Sequence, residues 1–225
     1  MKPLDEEPAV ASKPGVRIPS WLVPYASTVL NVAVFLLLGS LFVGDEIIKW
    51  QKGKVDYVEA SFAIQTTVVL GFILLRRPAK GVDPDVRHQL VALMAFGSAA
   101  LFVTEPRTEN PSLLLAAKIT MMVTNVLGLA TVLNLGRSFG ILIALRRVET
   151  RGLYSIIRHP MYFTDILLRV GLVLQVPHIL NIVLALVSSG LYVKRALLEE
   201  AFLSKDPDYR AYMQRVRYRL VPFIF

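Results

Sequence analysis

Six apolar stretches divide the chain, near residues 21 to 44, 57 to 75, 88 to 104, 111 to 135, 161 to 175 and 179 to 203. A helix needs roughly 20 mostly apolar residues to cross a bilayer. Most of these stretches meet that length, and a net charge of +8 beside a 54% hydrophobic content and a mean hydropathy of +0.53 is foreign to a soluble domain. The expectation is an all-α, polytopic integral membrane protein with about six transmembrane or re-entrant helices. The fifth stretch is short for a crossing. Val176, Pro177 and His178 leave room only for a tight turn before the sixth, so these two form an antiparallel C-terminal hairpin.

Basic residues set the orientation. The tail, the 76 to 87 loop, the 136 to 160 loop and the segment from Lys194 onward carry 19 Lys and Arg. The alternate loops carry 4, namely Lys49, Lys52, Lys54 and Arg107. The positive-inside rule then puts both termini in the cytoplasm, in a membrane read here as a bacterial inner membrane. Basic loops beside anionic lipid are ordinary anchors, which accounts for Arg76, Arg77 and the outlying arginines without a nucleic-acid partner. Residues 1 to 20 hold prolines and mixed charge, which suits a disordered or surface-lying tail and lacks the pattern of a signal peptide. With no cysteine, disulfides and thiolate metal sites are excluded, and chemistry falls to His, Tyr, Arg and carboxylates.

Three features gather on the predicted cytoplasmic face. In "LGRSFGILIALRRVETRGLYSIIRHPMY", residues 135 to 162, Gly136, Gly140 and Gly152 permit close backbone approach, and Pro160 suits the first turn of a helix whose free N–H groups can meet an anion. In "KRALLEE", residues 194 to 200, Arg195 and Glu199 stand four apart on one helical face, a spacing that is usually a surface pair worth a few tenths of a kcal/mol. The terminus "DPDYRAYMQRVRYRLVPFIF" is basic and aromatic, suited to lying along the interface. Within the fifth stretch, Asp165 and Arg169 are also four apart. Mutual neutralisation is the simpler account of that pair, and it marks the buried face of the helix.

The order of these features, "RGLYSIIRHPMY" followed by "EE", "YRAY" and "VP", resembles the isoprenylcysteine carboxyl methyltransferase family, especially its bacterial membrane members. The resemblance runs from about Leu135 to Phe225, so the chain divides into a tail (1–20), N-terminal transmembrane helices (21–135) and a catalytic region (136–225). It implies an S-adenosyl-L-methionine pocket enclosed by the C-terminal hairpin, with cofactor contacts at Tyr154, His159, Pro160, Met161, Tyr162 and Glu199, and a substrate-facing arginine at Arg195. It implies no metal. The segment "AFLSKDPD" and the ending "RVRYRLVP" depart from the family pattern, which makes a prenylated protein a poor default substrate.

On this reading a polar cofactor arrives from the cytoplasm and a small lipophilic or lipid substrate from the bilayer, and the cationic, aromatic mouth of the fifth helix is where they meet. A carboxylate acceptor is already ionised at neutral pH and needs no general base. Arg195 is expected to hold it through a planar fork, while Glu199 accepts hydrogen bonds from the cofactor. Two alternatives stand beside it. The ending "YRLVPFIF" also resembles the terminus of membrane sterol reductases, which bind a nicotinamide cofactor. A transporter or scaffold would show a repeat or a polar path through the spans, and no clear repeat is seen.

Overall fold

The computed structural model describes residues 57 to 224 continuously and isolated positions between Pro19 and Gly53. Apart from those positions, the tail (1–20) and the first expected span (21–44) lie outside the described residues. The fold is all-α. The helices are α1 (Tyr57–Leu75), α2 (Val86–Gly97), α3 (Pro111–Leu135), α4 (Pro160–Gln175), α5 (Ile179–Leu203) and α6 (Pro207–Arg215). Of these, α1, α3 with its 3₁₀ extension to Ser138, and α5 are long and apolar enough to cross a membrane. At 1.5 Å per residue, the 25 residues of α3 or α5 cover about 38 Å, more than the roughly 30 Å hydrocarbon core.

The helices are turned inside out relative to a soluble bundle. Ile64, Leu115, Ile119, Val126, Leu133, Leu186 and Val187 are exposed. The buried face of α5 is instead Asn181, Ser188, Tyr192, Arg195, Ala196 and Glu200, a polar stripe at helical spacing. On α3 the buried face is mostly small or polar, including Ala117, Thr124, Asn125, Gly128 and Thr131. Where the surrounding lipid is itself apolar, hydrophobicity cannot drive helix pairing, so close packing and interhelical hydrogen bonds do it. Asn125 donates to Ser61 Oγ on α1 at 2.7 Å, and the Gln65 side chain covers Gly128.

The third expected span, 88 to 104, is the one the structure alters. α2 has only 12 residues; it passes into a 3₁₀ turn at Ser98–Leu101, and the chain is extended at Phe102. Polar side chains from the hairpin meet the main chain where the helix stops. Arg169 Nη2 donates to Ala95 O (3.2 Å) and Ser98 Oγ (2.9 Å), while Asn181 exchanges both amide bonds with Val103 at 2.9 Å. An extended segment persists at membrane depth only if protein supplies its partners, and a primary amide presents the same donor and acceptor as a peptide.

The hairpin is as expected, with α4 and α5 joined through Val176 to His178, whose ring accepts from Leu180 N at 3.2 Å. The Asp165–Arg169 pairing is corrected. Arg169 is buried as expected, but its Nη1 donates to the main-chain carbonyl of Asp165 (2.6 Å) rather than to its carboxylate, and its other donors go to Ser188, Ala95 and Ser98. The guanidinium also lies over the Tyr192 ring, 4.8 Å from its centroid.

At the opposite end of the helices from Asn181, the two basic loops join. A short antiparallel ladder pairs β1 (Gly81–Val82) with β2 (Ala144–Leu145). Buried Gln89 ties it to α2, accepting from Ile143 N and donating to Ile143 O and Asp83 O. Asn181→Leu tests the packing logic. It strands the Val103 N–H and C=O in an apolar setting at about 1 to 3 kcal/mol each, visible as a lowered unfolding midpoint in detergent, whereas lipid-facing Leu186→Ala shifts stability by no more than about 0.5 kcal/mol.

Candidate active site

The segment leading into α4 is held in place by its main chain. Arg158 N donates to Tyr218 O and His159 N to Arg219 O, both at 2.9 Å, beside a parallel bridge between Ile157 and Tyr218. Pro160 then starts α4, and the His159 carbonyl accepts from Tyr162 N and Phe163 N at 3.1 Å. Upstream, the 3₁₀ turn Gly152–Ser155 begins at φ +59, and a Cβ at Gly152 would collide with the Asn134 side chain, so glycine is needed there twice over.

The terminus expected to lie along the interface instead folds inward. α6 buries Tyr209 and Tyr212 against Val216, with Val148 and Leu203 packed around them, and the Tyr212 hydroxyl donates to Tyr154 O at 2.7 Å. Its basic residues mostly remain on the outer side, but Arg219 turns in.

Arg219 joins a knot around one carboxylate. Glu200, 4% exposed, accepts from Arg219 Nε (2.8 Å) and Arg158 Nη2 (3.4 Å) and meets His159 Nε2 at 3.2 Å. Arg158 Nε also approaches Glu200 Oε1 to 2.7 Å, an ionic contact too bent to be a hydrogen bond. Arg158 Nη1 reaches Val216 O. Two segments distant in sequence, 158–159 and 216–219, are thereby fastened to the end of α5.

In front of this knot lies a cleft that opens to the surface, with a cavity volume of about 120 Å³. Six of the seven sequence-selected residues line it: Tyr154, His159, Met161, Tyr162, Arg195 and Glu199. Pro160 does not; it is fully buried behind the wall and fixes where α4 begins. Arg195 and Glu199 meet at Tyr162, whose hydroxyl donates to Glu199 and whose ring lies beneath the Arg195 guanidinium, 4.8 Å from centroid to Cζ. His159 also stacks on that ring, at 5.1 Å and 5°.

The fork expected to be free on Arg195 is engaged. Nη1 donates to Ala92 O (3.2 Å) and Nη2 to Ile141 O (2.5 Å), which leaves Nε without an acceptor. Arg195 therefore braces α2 and the 139 to 145 segment against α5 while presenting charge to the cleft.

Three further lining residues were not selected from the sequence as site residues. Asp165 faces the cleft and is hydrogen-bonded to Tyr192. Glu149 accepts from Ser138 Oγ at 3.1 Å. Arg146, 8% exposed, has no acceptor for Nε or Nη2; burial, and then the charge of Arg76, pull its guanidinium down to about 10. Burial, and then the Glu199 carboxylate, push the Tyr154 hydroxyl well up, so it stays a neutral aromatic wall. Nothing distinguished Arg146 from Arg147 in the sequence. Only the fold separates them, leaving the Arg147 side chain 63% exposed.

Residues 110–207 match the family model described as phospholipid methyltransferase, somewhat under half of the chain. The match starts at the N-cap of α3 and ends at the first residue of α6, so it contains the glycine turn, the Arg-His-Pro entry to α4 and both glutamates. No curated protein matches the chain.

The two adjacent glutamates are expected to behave differently. Glu200→Gln leaves the buried Arg158 guanidinium uncompensated and is expected to cost about 3 to 5 kcal/mol, whereas Glu199→Gln, at the partly exposed cleft wall, costs less than about 1.5 kcal/mol. Thermal unfolding of both variants in the same detergent measures the difference.

Proposed function

We propose that this protein is an S-adenosylmethionine-dependent methyltransferase that modifies a lipid or small lipophilic substrate at the membrane interface, with its cleft on the cytoplasmic side. One observation carries the reading: six residues selected from the sequence converge on a single cleft at the charged end of an apolar helix bundle, within or beside the segment that matches the phospholipid methyltransferase model. The finer resemblance, to isoprenylcysteine carboxyl methyltransferases, rests on "RGLYSIIRHPMY" and the paired glutamates.

The residues present fit such a cofactor. Tyr154, Phe139 and Leu203 offer an aromatic and apolar wall for a purine, Glu199 offers a carboxylate acceptor, and the Nε and Nη2 of Arg146, which have no acceptor, offer a site for an anionic group. His159, Met161 and Tyr162 form the adjoining wall at the start of α4. When bound, the sulfonium supplies an electrophilic methyl carbon. The protein's task is then to orient the acceptor in line and to exclude water, which accounts for a rigid, braced cleft without a His-Asp relay.

Two acceptor chemistries follow from the lining. A lipid carboxylate needs no base and would face the charge of Arg195, two of whose five N–H groups are already committed to main-chain carbonyls. A lipid amine is favoured by a separate observation: Asp165 and Glu199 both face the cleft, and the guanidinium of Arg169 donates to the Asp165 main chain rather than to its carboxylate. Either carboxylate can hold an ammonium and take its proton.

The test is transfer of labelled methyl from S-adenosylmethionine into an organic-soluble product by the purified protein, supplied in parallel with long-chain amines, long-chain carboxylates and total phospholipid. Glu199→Gln is expected to weaken cofactor binding tenfold to a hundredfold by calorimetry, as loss of a charge-assisted acceptor of about 1.5 to 3 kcal/mol requires. Heat protection by NADPH and none by S-adenosylmethionine would replace this reading with the reductase one. Protection by neither would favour a transporter or scaffold.

A further inference from the structure

Arg146 stands apart from the other guanidiniums at the cleft. Arg158 is committed to Glu200 and Val216 O, and Arg195 to two main-chain carbonyls. Arg147 is largely exposed and lies 3.8 Å from Glu149. Arg146 is more than nine-tenths buried, lines the cleft, and has no acceptor for Nε or Nη2. Of the nearby carboxylates, Glu149 accepts from Ser138 and Glu199 from Tyr162; the Glu199 charge is felt at Arg146, but neither glutamate is hydrogen-bonded to it. A buried guanidinium left in this state is costly, and native proteins rarely keep one without a use.

The backbone is also shaped around it. A Cβ at Gly140 would sit 2.5 Å from both Cζ and Nη1 of Arg146, so the glycine leaves the space that the guanidinium occupies. The Arg146 side chain is thus seated against the main chain of residue 140.

We propose that Arg146 is the anion-binding residue of the cleft, its free N–H groups taking the oxygens of a carboxylate or phosphate. A planar guanidinium suits both anions, and the pairing is strong where water is excluded. Two sources share this chemistry: the amino-acid carboxylate of the cofactor and the phosphate of a lipid headgroup. The inference rests on the methyltransferase reading only for the first.

The experiment uses full-length protein in detergent and reads binding, not turnover. Calorimetry compares S-adenosylmethionine with its decarboxylated form, which keeps the sulfonium and the amine. Thermal shift compares dioctanoyl phosphatidylglycerol with dioctanoylglycerol. If the cofactor carboxylate is the partner, Arg146→Gln lowers S-adenosylmethionine affinity at least tenfold and leaves the decarboxylated form unchanged. If the lipid phosphate is the partner, both cofactor affinities persist, and Arg146→Gln abolishes the extra stabilisation that the phosphate-bearing lipid gives the wild type. Gly140→Ala, which displaces the guanidinium without removing it, is expected to reproduce whichever loss is seen.

Folded Arg146→Gln protein that binds the carboxylated cofactor and the phospholipid as the wild type does would overturn the proposal. So would wild-type protein that discriminates neither pair of ligands, a result that needs no variant to fold. Wild-type protein that binds neither form of the cofactor but responds to the phosphate-bearing lipid would remove the methyltransferase reading and leave the anion site standing.

Discussion

The structure depends on the carboxylate of Glu200. An ionised carboxylate taken out of water must be surrounded by donors, and here Arg158, His159 and Arg219 supply them from two separate segments of the chain. The requirement acts in both directions, because the Arg158 guanidinium is itself buried and needs the anion. The knot therefore fixes the end of α5 against the entry to α4 and the 218 to 219 segment, and the front of the same helical turn, at Glu199 and Arg195, becomes a wall of the cleft. Adjacent glutamates on a helix point about 100° apart, so one can anchor while the other faces a ligand.

Elsewhere the same constraint is met by arginine and asparagine acting on the main chain. Arg169 takes carbonyls and hydroxyls from α2, its following turn, α4 and α5, and Arg195 joins α2 to the 141 segment. Each guanidinium also covers a tyrosine ring, Tyr192 for Arg169 and Tyr162 for Arg195. In a bundle whose outer face is apolar, these polar contacts discriminate one helix arrangement from another, since burying more leucine gains nothing against lipid.

The membrane helices were readable because length and apolarity are properties of single segments. α1, α3 and α5 fall within one or two residues of the expected spans, and the tight 176 to 178 turn made the hairpin legible. The break in α2 was not, because it depends on Arg169 and Asn181 supplying partners from across the bundle. The cleft was partly legible: His159, Tyr162 and Glu199 belong to a recognisable order of residues. Arg146 and Asp165 were not identified as lining, because neighbouring arginines look alike until the fold exposes one and buries another, and because Asp165 is four residues from an arginine that uses its backbone instead. The inward fold of α6 was missed for a similar reason. Its aromatic and basic composition suits an interface, and only the Tyr212–Tyr154 contact, with the Tyr218–Arg158 contact just beyond the helix, holds it against the cleft.

Those last contacts carry a consequence for the order of assembly. The Arg158 side chain donates to a main-chain carbonyl 58 positions further along the chain, and the Tyr154 carbonyl accepts from the Tyr212 hydroxyl at the same separation. While α4 and α5 emerge and pair, the Arg-His entry to α4 has no strand beside it and no Arg219 to share Glu200. The helices can be in the membrane before the cleft exists, so insertion and completion of the site are separate events, the second governed by long-range closure rather than by hydropathy.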